Sequence, residues 1–293
     1  MSGTTANMET KQTKPVKIRG LDRMTVPKFF IMTLVLIFTL ITMFPFYVMI
    51  IMGTHSTEYI QANLVLLPGP EFFENMRFIF STNFPTHYFN SFYIAVVTTI
   101  GNVMISTLAG YGFAKYEFKY KKILFMLVIA TLMLPTQLGL VGYVIQMRVM
   151  GLFNSHWALI LPLLANAFHV YWVTTYVRSG VPNEILESGR VDGCSEKMIF
   201  LRLAFPLMLP ATITVALLSF LNSWNNYFMP MVIINNERKF TIPLSVMTFN
   251  TAFRVNYAAS ILALTVAVIP VVIMFGLFSK HLISGLTSGS IKG

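Results

Sequence analysis

Six stretches of this chain are long and apolar enough to leave few places for them to go. They cover roughly 27–52, 88–113, 123–147, 156–177, 207–233 and 257–279. A hydrocarbon core of ~30 Å is crossed by about 20 helical residues, and each stretch reaches that length. Only 11% of the residues are charged and mean hydropathy is +0.68, whereas soluble domains carry about 25% charge. A large soluble core therefore fits poorly, because too few charges remain to cover it. In lipid the backbone must satisfy its own hydrogen bonds, so the expected state is helix. An outer-membrane barrel would show alternation over ~10-residue strands, and none is present. The expected fold is all-α and polytopic, with six transmembrane helices.

The first window is too long for the apolar region of a signal peptide, and no small-x-small site follows it, so it reads as a retained span. The expected layout is a tail over 1–26, a membrane domain over 27–279 and a second tail over 280–293. Net charge is +10. The basic residues fall between the apolar runs, which favours a membrane protein over a nucleic-acid binder. Their placement orients the chain, since cytoplasmic loops carry the excess of Lys and Arg. Sixteen lie in the two tails, at Lys28 at the very start of the first window, and in the segments 114–122 and 178–206. Five lie on the other side: Arg77, Arg148, Arg238, Lys239 and Arg254. Both termini are thus expected in the cytoplasm of a bacterial cell, with the protein in its cytoplasmic membrane.

One cytoplasmic segment breaks the oily pattern, ESGRVDGCSEKMIFLRLAFPLMLP, starting at Glu187. From Glu184 to Arg202 it holds seven charges, and each would cost about 2.5–3.5 kcal/mol at bilayer centre. It cannot span. Pro182 suits the first turn of a short helix. Asp192-Gly193 reads as a turn, and Ser195 as the N-cap of the next helix. Pro206 and Pro210 mark a bend into the fifth window. The residues describe a helix-turn-helix across 182–206. They leave open whether it docks a partner or merely joins two spans.

The order Glu187, Ser188, Gly189, Asp192, Gly193, Phe200, Pro206, Pro210 resembles the EAA motif of ABC importer permeases. Ser-Gly stands where Ala-Ala is commoner, and Cys194 where Ala is usual. FNSFYIAVVTT, AGYGFAKYEF, LMLPTQ, SWNNYF and SGLTSGSIKG extend the resemblance over nearly the whole chain. They are similar to the carbohydrate-uptake permeases typified by the six-span inner-membrane subunit of the maltose transporter.

That resemblance implies a coupling helix near 184–196, between spans four and five, seated in a cytoplasmic ATPase. Glu187, Ser188, Gly189, Asp192, Gly193 and Cys194 would form the coupling site, with Glu187 facing the ATPase and Gly193 making the turn. The implied partners are a second homologous permease, two copies of an ATP-binding subunit, and an extracytoplasmic solute-binding protein that delivers a sugar. ATP and Mg would be bound on the ATPase, and this chain would carry no cofactor and catalyse no reaction.

The chain holds no G-x-x-x-x-G-K-[ST] phosphate loop and no H-E-x-x-H. His55, His87, His156, His169 and His281 are dispersed, and no metal site is expected. A secondary, ion-coupled carrier is the alternative class. It would be expected to bury an Asp or Glu near the midplane, and the spans contain none. The spans do carry amides and aromatics. Gln137, Asn222, Trp224, Asn225 and Tyr227 are candidates for a sugar pathway. Asn and Ser in spans also bond across helices for about 0.6–2 kcal/mol, and for Asn102 and Asn166 that packing role is preferred. Gly101, Gly110 and Gly112 read as close-packing positions. Arg238 and Lys239, in the turn before the sixth window, either dock the acidic face of a binding protein or simply solvate the turn.

Overall fold

The computed structural model describes residues 25–246 and 256–288. The expectations placed on residues 1–24, on Arg254 and on residues 289–293 lie outside the described residues. Among the described residues every regular element is helical. Five helices are long and apolar enough to cross a membrane: Lys28–Met52, Phe84–Lys115, Trp157–Gly180, Glu196–Trp224 and Tyr257–Ser279.

The first, α1 (Thr25–Met52), is exposed along almost its whole length. Its threonines do not need partners outside it. Thr33, Thr39 and Thr42 donate back to the carbonyls of Phe29, Val35 and Phe38 at 3.0, 2.8 and 3.0 Å. From residue 29 onward such a helix exposes a largely apolar surface.

After α1 comes a short folded segment containing α2 (Thr57–Ala62) and α3 (Phe72–Phe80). Side chains hold its turns. Ser56 caps α2 by accepting from the Tyr59 amide. Asn75 donates to the carbonyls of Gly53 and His55 at 3.1 and 2.9 Å. His55 donates through Nε2 to the Leu67 carbonyl at 2.8 Å and stacks on Tyr59 with centroids 4.5 Å apart.

The central element is α4 (Phe84–Lys115), which packs chiefly against the helices Ala167–Gly180 and Phe205–Trp224 and also meets α3, the short helix Trp157–Ile160 and the 3-10 turns at Leu161–Leu163 and Glu237–Lys239. Its buried face repeats every three or four residues: His87, Asn90, Ser91, Ile94, Ala95, Thr98, Asn102, Ser106, Gly110. Its exposed face carries Phe89, Phe92, Ile100, Met104 and Leu108. Polar and small residues point in and large apolar ones point out. That is the pattern expected where lipid removes the hydrophobic drive between helices and close backbone approach replaces it.

The third apolar window is not one helix. It divides into α5 (Lys121–Thr131), a 3-10 turn at Thr136–Gly139, and α6 (Leu140–Val149). Pro135 is the cause. It has no N–H to give the carbonyl four residues back, and its ring would strike that group. The residue four back is Thr131, where α5 stops.

The fourth window is also broken. A short α7 (Trp157–Ile160) runs into a 3-10 turn at Leu161–Leu163 containing Pro162, and α8 (Ala167–Gly180) begins anew with Asn166 as its cap. Next come α9 (Asn183–Val191) and α10 (Glu196–Met198). A π-turn at Ile199–Ala204 joins α10 to α11 (Phe205–Trp224) in a continuous helical run. Where a bend was expected at Pro206 and Pro210, the helical run continues through both prolines, with this wider turn just upstream of them. Pro206 supplies no N–H for the Arg202 carbonyl, and the π-turn absorbs the mismatch. The fifth window ends early as well. α11 stops at Trp224, Asn225 and Asn226 interrupt it, and α12 (Phe228–Ile233) follows. The last helix, α13 (Tyr257–Ser288), continues past the apolar window into the stretch expected to be a tail.

Two of the three glycines in α4 are close-packing positions. A Cβ on Gly110 would lie 2.5 Å from Val173 Cγ1 and 3.0 Å from the Thr174 amide nitrogen, and one on Gly101 would lie 2.4 Å from Leu164 Cδ2. At Gly112 nothing lies within 4 Å, so its reading as a packing glycine is corrected. Gly110→Ala is expected to destabilise the α4–α8 contact by about 1–3 kcal/mol, the usual cost of overpacking. Gly112→Ala should instead gain up to about 1 kcal/mol of helix propensity. Thermal unfolding of the two purified variants in detergent reads both signs.

Candidate functional site

Three regions of the chain carry organised polar chemistry, and α4 contributes to each. The first is the helix-turn-helix at its C-terminal end. Along α9, Leu186 and Gly189 are buried, while Glu184, Glu187, Ser188, Val191 and Asp192 are exposed, Val191 at 88%. Gly189 is small for a reason. A Cβ there would sit 2.7 Å from Leu203 Cδ1 and 3.2 Å from Ile199 Cγ1, so α9 lies directly on the π-turn.

Asp192 ends the helix and Gly193 follows with φ +76°. The amides of Gly193 and Cys194 bond the carbonyls of Arg190 and Gly189 at 3.1 and 2.9 Å. This is the paired C-terminal cap that places a left-handed residue one past the helix end, a conformation glycine adopts without strain. Cys194 packs against the core below. Ser195 then caps α10 by accepting from the Met198 amide at 3.4 Å. Ser188 donates to the Ile185 carbonyl of its own helix. Glu187 points outward from the same face as Glu184 and Val191.

The turn is fastened from two sides. Arg190 donates to Glu196 through Nε and Nη2, at 2.7 and 3.3 Å from Oε1 and Oε2. The Tyr116 hydroxyl donates to the same Oε2 at 2.6 Å. Burial, followed by this bond to a carboxylate, drives the Tyr116 phenol far above its ordinary range. Lys115 donates to the Val181 carbonyl and to Asn183 Oδ1, at 2.5 and 2.7 Å. Nearby, Lys121 holds the Glu117 carboxyl below its usual range through a 2.8 Å bond.

The second region lies midway along α4, at the break in the fourth window. Asn102 is 1% exposed, and its amide donates to the carbonyls of Leu163 and Leu164 at 2.8 and 3.3 Å. These groups are among those that the break leaves open. Its Oδ1 accepts from His169 Nδ1 at 2.7 Å and from Ser106 at 3.3 Å. Asn166 caps α8 by accepting from the His169 amide. Asn102 and Asn166 are thus engaged in helix packing.

The pathway candidates are distributed differently. Trp224 is 3% exposed, its indole N–H donates to the Ala267 carbonyl at 3.1 Å, and it stacks on Phe220 and meets Tyr88 edge-on. It packs α11 against α13 and α4, and its ring faces the chain's own interior. Asn222 and Asn225 are exposed on either side of it, Tyr227 is half-buried past the helix end, and Gln137 is exposed in the 3-10 turn after Pro135.

The third region is the turn at Glu237–Lys239, near the N-terminal end of α4. Its backbone is gripped by α4 side chains. His87 donates to the Glu237 carbonyl at 2.8 Å, and Asn90 donates to those of Arg238 and Phe240 at 2.8 and 3.0 Å. From the other side His156 donates to the Lys239 carbonyl at 3.1 Å. Lys239 directs its ammonium to the Asn154 carbonyl at 2.8 Å. Arg238 is exposed. Hydropathy held no sign of these grips. The one visible clue was Lys115-Tyr116 within AGYGFAKYEF.

With this geometry in hand, the likeness to known proteins is specific. Residues 102–288, more than half the chain, match the family of binding-protein-dependent transport system inner membrane components, and the chain belongs to that family. Among its relatives is the arabinooligosaccharides transport system permease protein AraQ of Bacillus subtilis (strain 168). It is 32% identical over 260 residues, covering 87% of this chain and 92% of that one. The trehalose/maltose transport system permease protein MalG of Thermococcus litoralis is 31% identical over 214 residues, 72% of this chain and 77% of its own. The lactose transport system permease protein LacG of Rhizobium radiobacter is 28% identical over 253 residues, 86% and 92% of the two chains. In a crystal structure of a bacterial ABC transporter involved in the import of the acidic polysaccharide alginate, one chain superposes with a TM-score of 0.77. The match covers 88% of this chain and 97% of that one at 22% identity, a likeness of fold.

The Asn102 cluster makes a direct prediction. Asn102→Leu strands two backbone carbonyls and a histidine donor. An unsatisfied buried group costs about 1–3 kcal/mol, so a clear drop in detergent melting temperature is expected. Asn102→Asp sets a buried carboxylate against the same two carbonyls and should cost at least as much. A melting curve for the leucine variant that overlays the wild type would show that the cluster carries no stability.

Proposed function

We propose that this chain is one permease subunit of an ATP-binding-cassette importer for a sugar or oligosaccharide. It forms half of the translocation pathway and carries one coupling helix. The observation that carries this reading is α9. A short helix exposes Glu184, Glu187, Val191 and Asp192, closes on a left-handed glycine, and roots directly in the run that becomes α11. A joining loop would not require so fixed a geometry. An outward helix of this kind suits insertion into a cleft of a separate ATPase, where ATP and Mg would be bound. Support for the substrate class comes from relatives whose systems transport arabinooligosaccharides, lactose and trehalose or maltose.

In this reading the chain crosses the membrane six times. The third crossing is the pair α5 and α6, broken at Pro135, whose 11 and 10 residues together approach the ~30 Å of a hydrocarbon core. Both termini and α9 lie in the cytoplasm, on the side of the sixteen basic residues. The turn at 237–239 lies outside, where a solute-binding protein would dock. Because Lys239 is bonded to Asn154, Arg238 is the charge offered to it. A second homologous permease would cover the exposed faces that flank Asn222 and Asn225.

Two measurements test this. In a Cys194→Ser background, a cysteine at Thr57 should react with a membrane-impermeant maleimide added from outside. Labelling only from the cytoplasm would reverse the orientation. The second compares coupling variants in purified complexes. Gly193→Val forces a β-branched residue into positive φ, and Glu187→Arg reverses the exposed charge. Each should leave the chain in the membrane while the co-purified ATPase subunit is depleted or sugar uptake by proteoliposomes is lost. Normal retention and uptake in both would remove α9 from the coupling role.

A further inference from the structure

α9 is joined by the chain to α8 and, through the π-turn, to α11. It has no covalent link to α4. Yet the last two residues of the α4 run reach around it. Lys115 bonds the Val181 carbonyl and Asn183 Oδ1, where α9 begins. Tyr116 has left the helix, with φ −104° and ψ 145°, and its hydroxyl meets Glu196, the first residue after the turn. Arg190, in the last turn of α9, bonds the same carboxylate. Root and tip of the short helix are therefore both tied to one neighbouring span. Gly189 removes the slack on the third side, because the π-turn fills the space a Cβ would need. The ring of Tyr111 completes the fit, lying 5.1 Å from that of Phe200 and 5.7 Å from that of Tyr116.

We propose that Lys115 and Tyr116 are positioning residues that make α4 a second lever on the coupling unit, so that a displacement of α9 reaches α4 as well as α11. This rests on the coupling role proposed for α9. The mechanical consequence is specific. α4 holds the Asn102 cluster midway and the 237–240 turn at its other end, so a push on α9 is delivered along one rigid rod of 32 residues. Cutting the ties would leave α9 able to bind an ATPase but moving α11 alone.

A merely structural staple and a lever differ in what they disturb. Loss of a staple lowers thermal stability and the amount of ATPase retained. Loss of a lever leaves both intact and raises the ATP hydrolysed per sugar imported. The test uses the complete complex purified through this chain and reconstituted in proteoliposomes with its binding protein and sugar. Tyr116→Phe and Lys115→Met are each expected to lower uptake about tenfold at near-normal hydrolysis, the order of effect of one hydrogen bond to a charged group. Glu196→Gln keeps an acceptor for Tyr116 and should retain most uptake, whereas Glu196→Ala should behave like Tyr116→Phe. An unchanged ratio of hydrolysis to uptake in Tyr116→Phe and Lys115→Met overturns the lever, whether uptake is normal or falls together with stability. If wild-type complex retains no ATPase, or Gly193→Val and Glu187→Arg are silent, it is the coupling role of α9 that fails.

Discussion

A break in a helix leaves carbonyl groups that lipid cannot satisfy, and at the break in the fourth window this chain answers them from a neighbouring helix, α4. Five positions of α4 bond backbone that its neighbours leave open. His87 and Asn90 answer carbonyls at 237, 238 and 240, Ser91 accepts from the Ile242 amide, Asn102 answers 163 and 164, and Lys115 answers 181. An unpaired buried polar group costs about as much as a hydrogen bond contributes, and more in a dry interior. The interruption at Pro162 is thus tolerable because α4 presents Asn102, one member of a polar stripe, to it. Remove the stripe, and the breaks at Pro162 and beyond Ile233 become sites where water would have to enter.

The same stripe explains why α4 sits at the centre. Its buried face has small or hydrogen-bonding residues at a helical repeat, and its outer face is Phe, Ile, Met and Leu. α1 shows the opposite solution. It directs the hydroxyls of Thr33, Thr39 and Thr42 back to its own backbone and exposes a largely apolar surface. A span that must hold others together and a span that need only cross can both look equally oily to a hydropathy scale.

Much of this was legible in the residues. Five of the six windows contain helices long enough to cross, and Asp192-Gly193 followed by Ser195 describes a turn and cap that the backbone adopts. What was not legible shares one cause. Averaged hydropathy registers Pro135 as a small dip, although one missing N–H is enough to divide the third window into α5 and α6. The Asn225-Asn226 pair likewise ends α11 within an apolar run. Whether an amide or indole lines a path or packs a core depends on which way it faces. Asn222 and Trp224 are two residues apart on one helix and face opposite ways, and only the neighbours of Trp224, Phe220 and Tyr88, decide that. Gly112 and Gly110 look alike in sequence, and only Gly110 has Val173 beside it.

The grips made by α4 share a further property. At the turn before α13 and at the break in the fourth window, His87, Asn90 and Asn102 hold main-chain carbonyls. A bond of this kind does not depend on which side chain the carbonyl's own residue carries. Arg238, whose side chain is exposed, could be exchanged for another residue without loosening the turn, so long as the path of the backbone is kept. The face shown at this turn can thus change at Arg238 while the bonds that fix its backbone stay as they are.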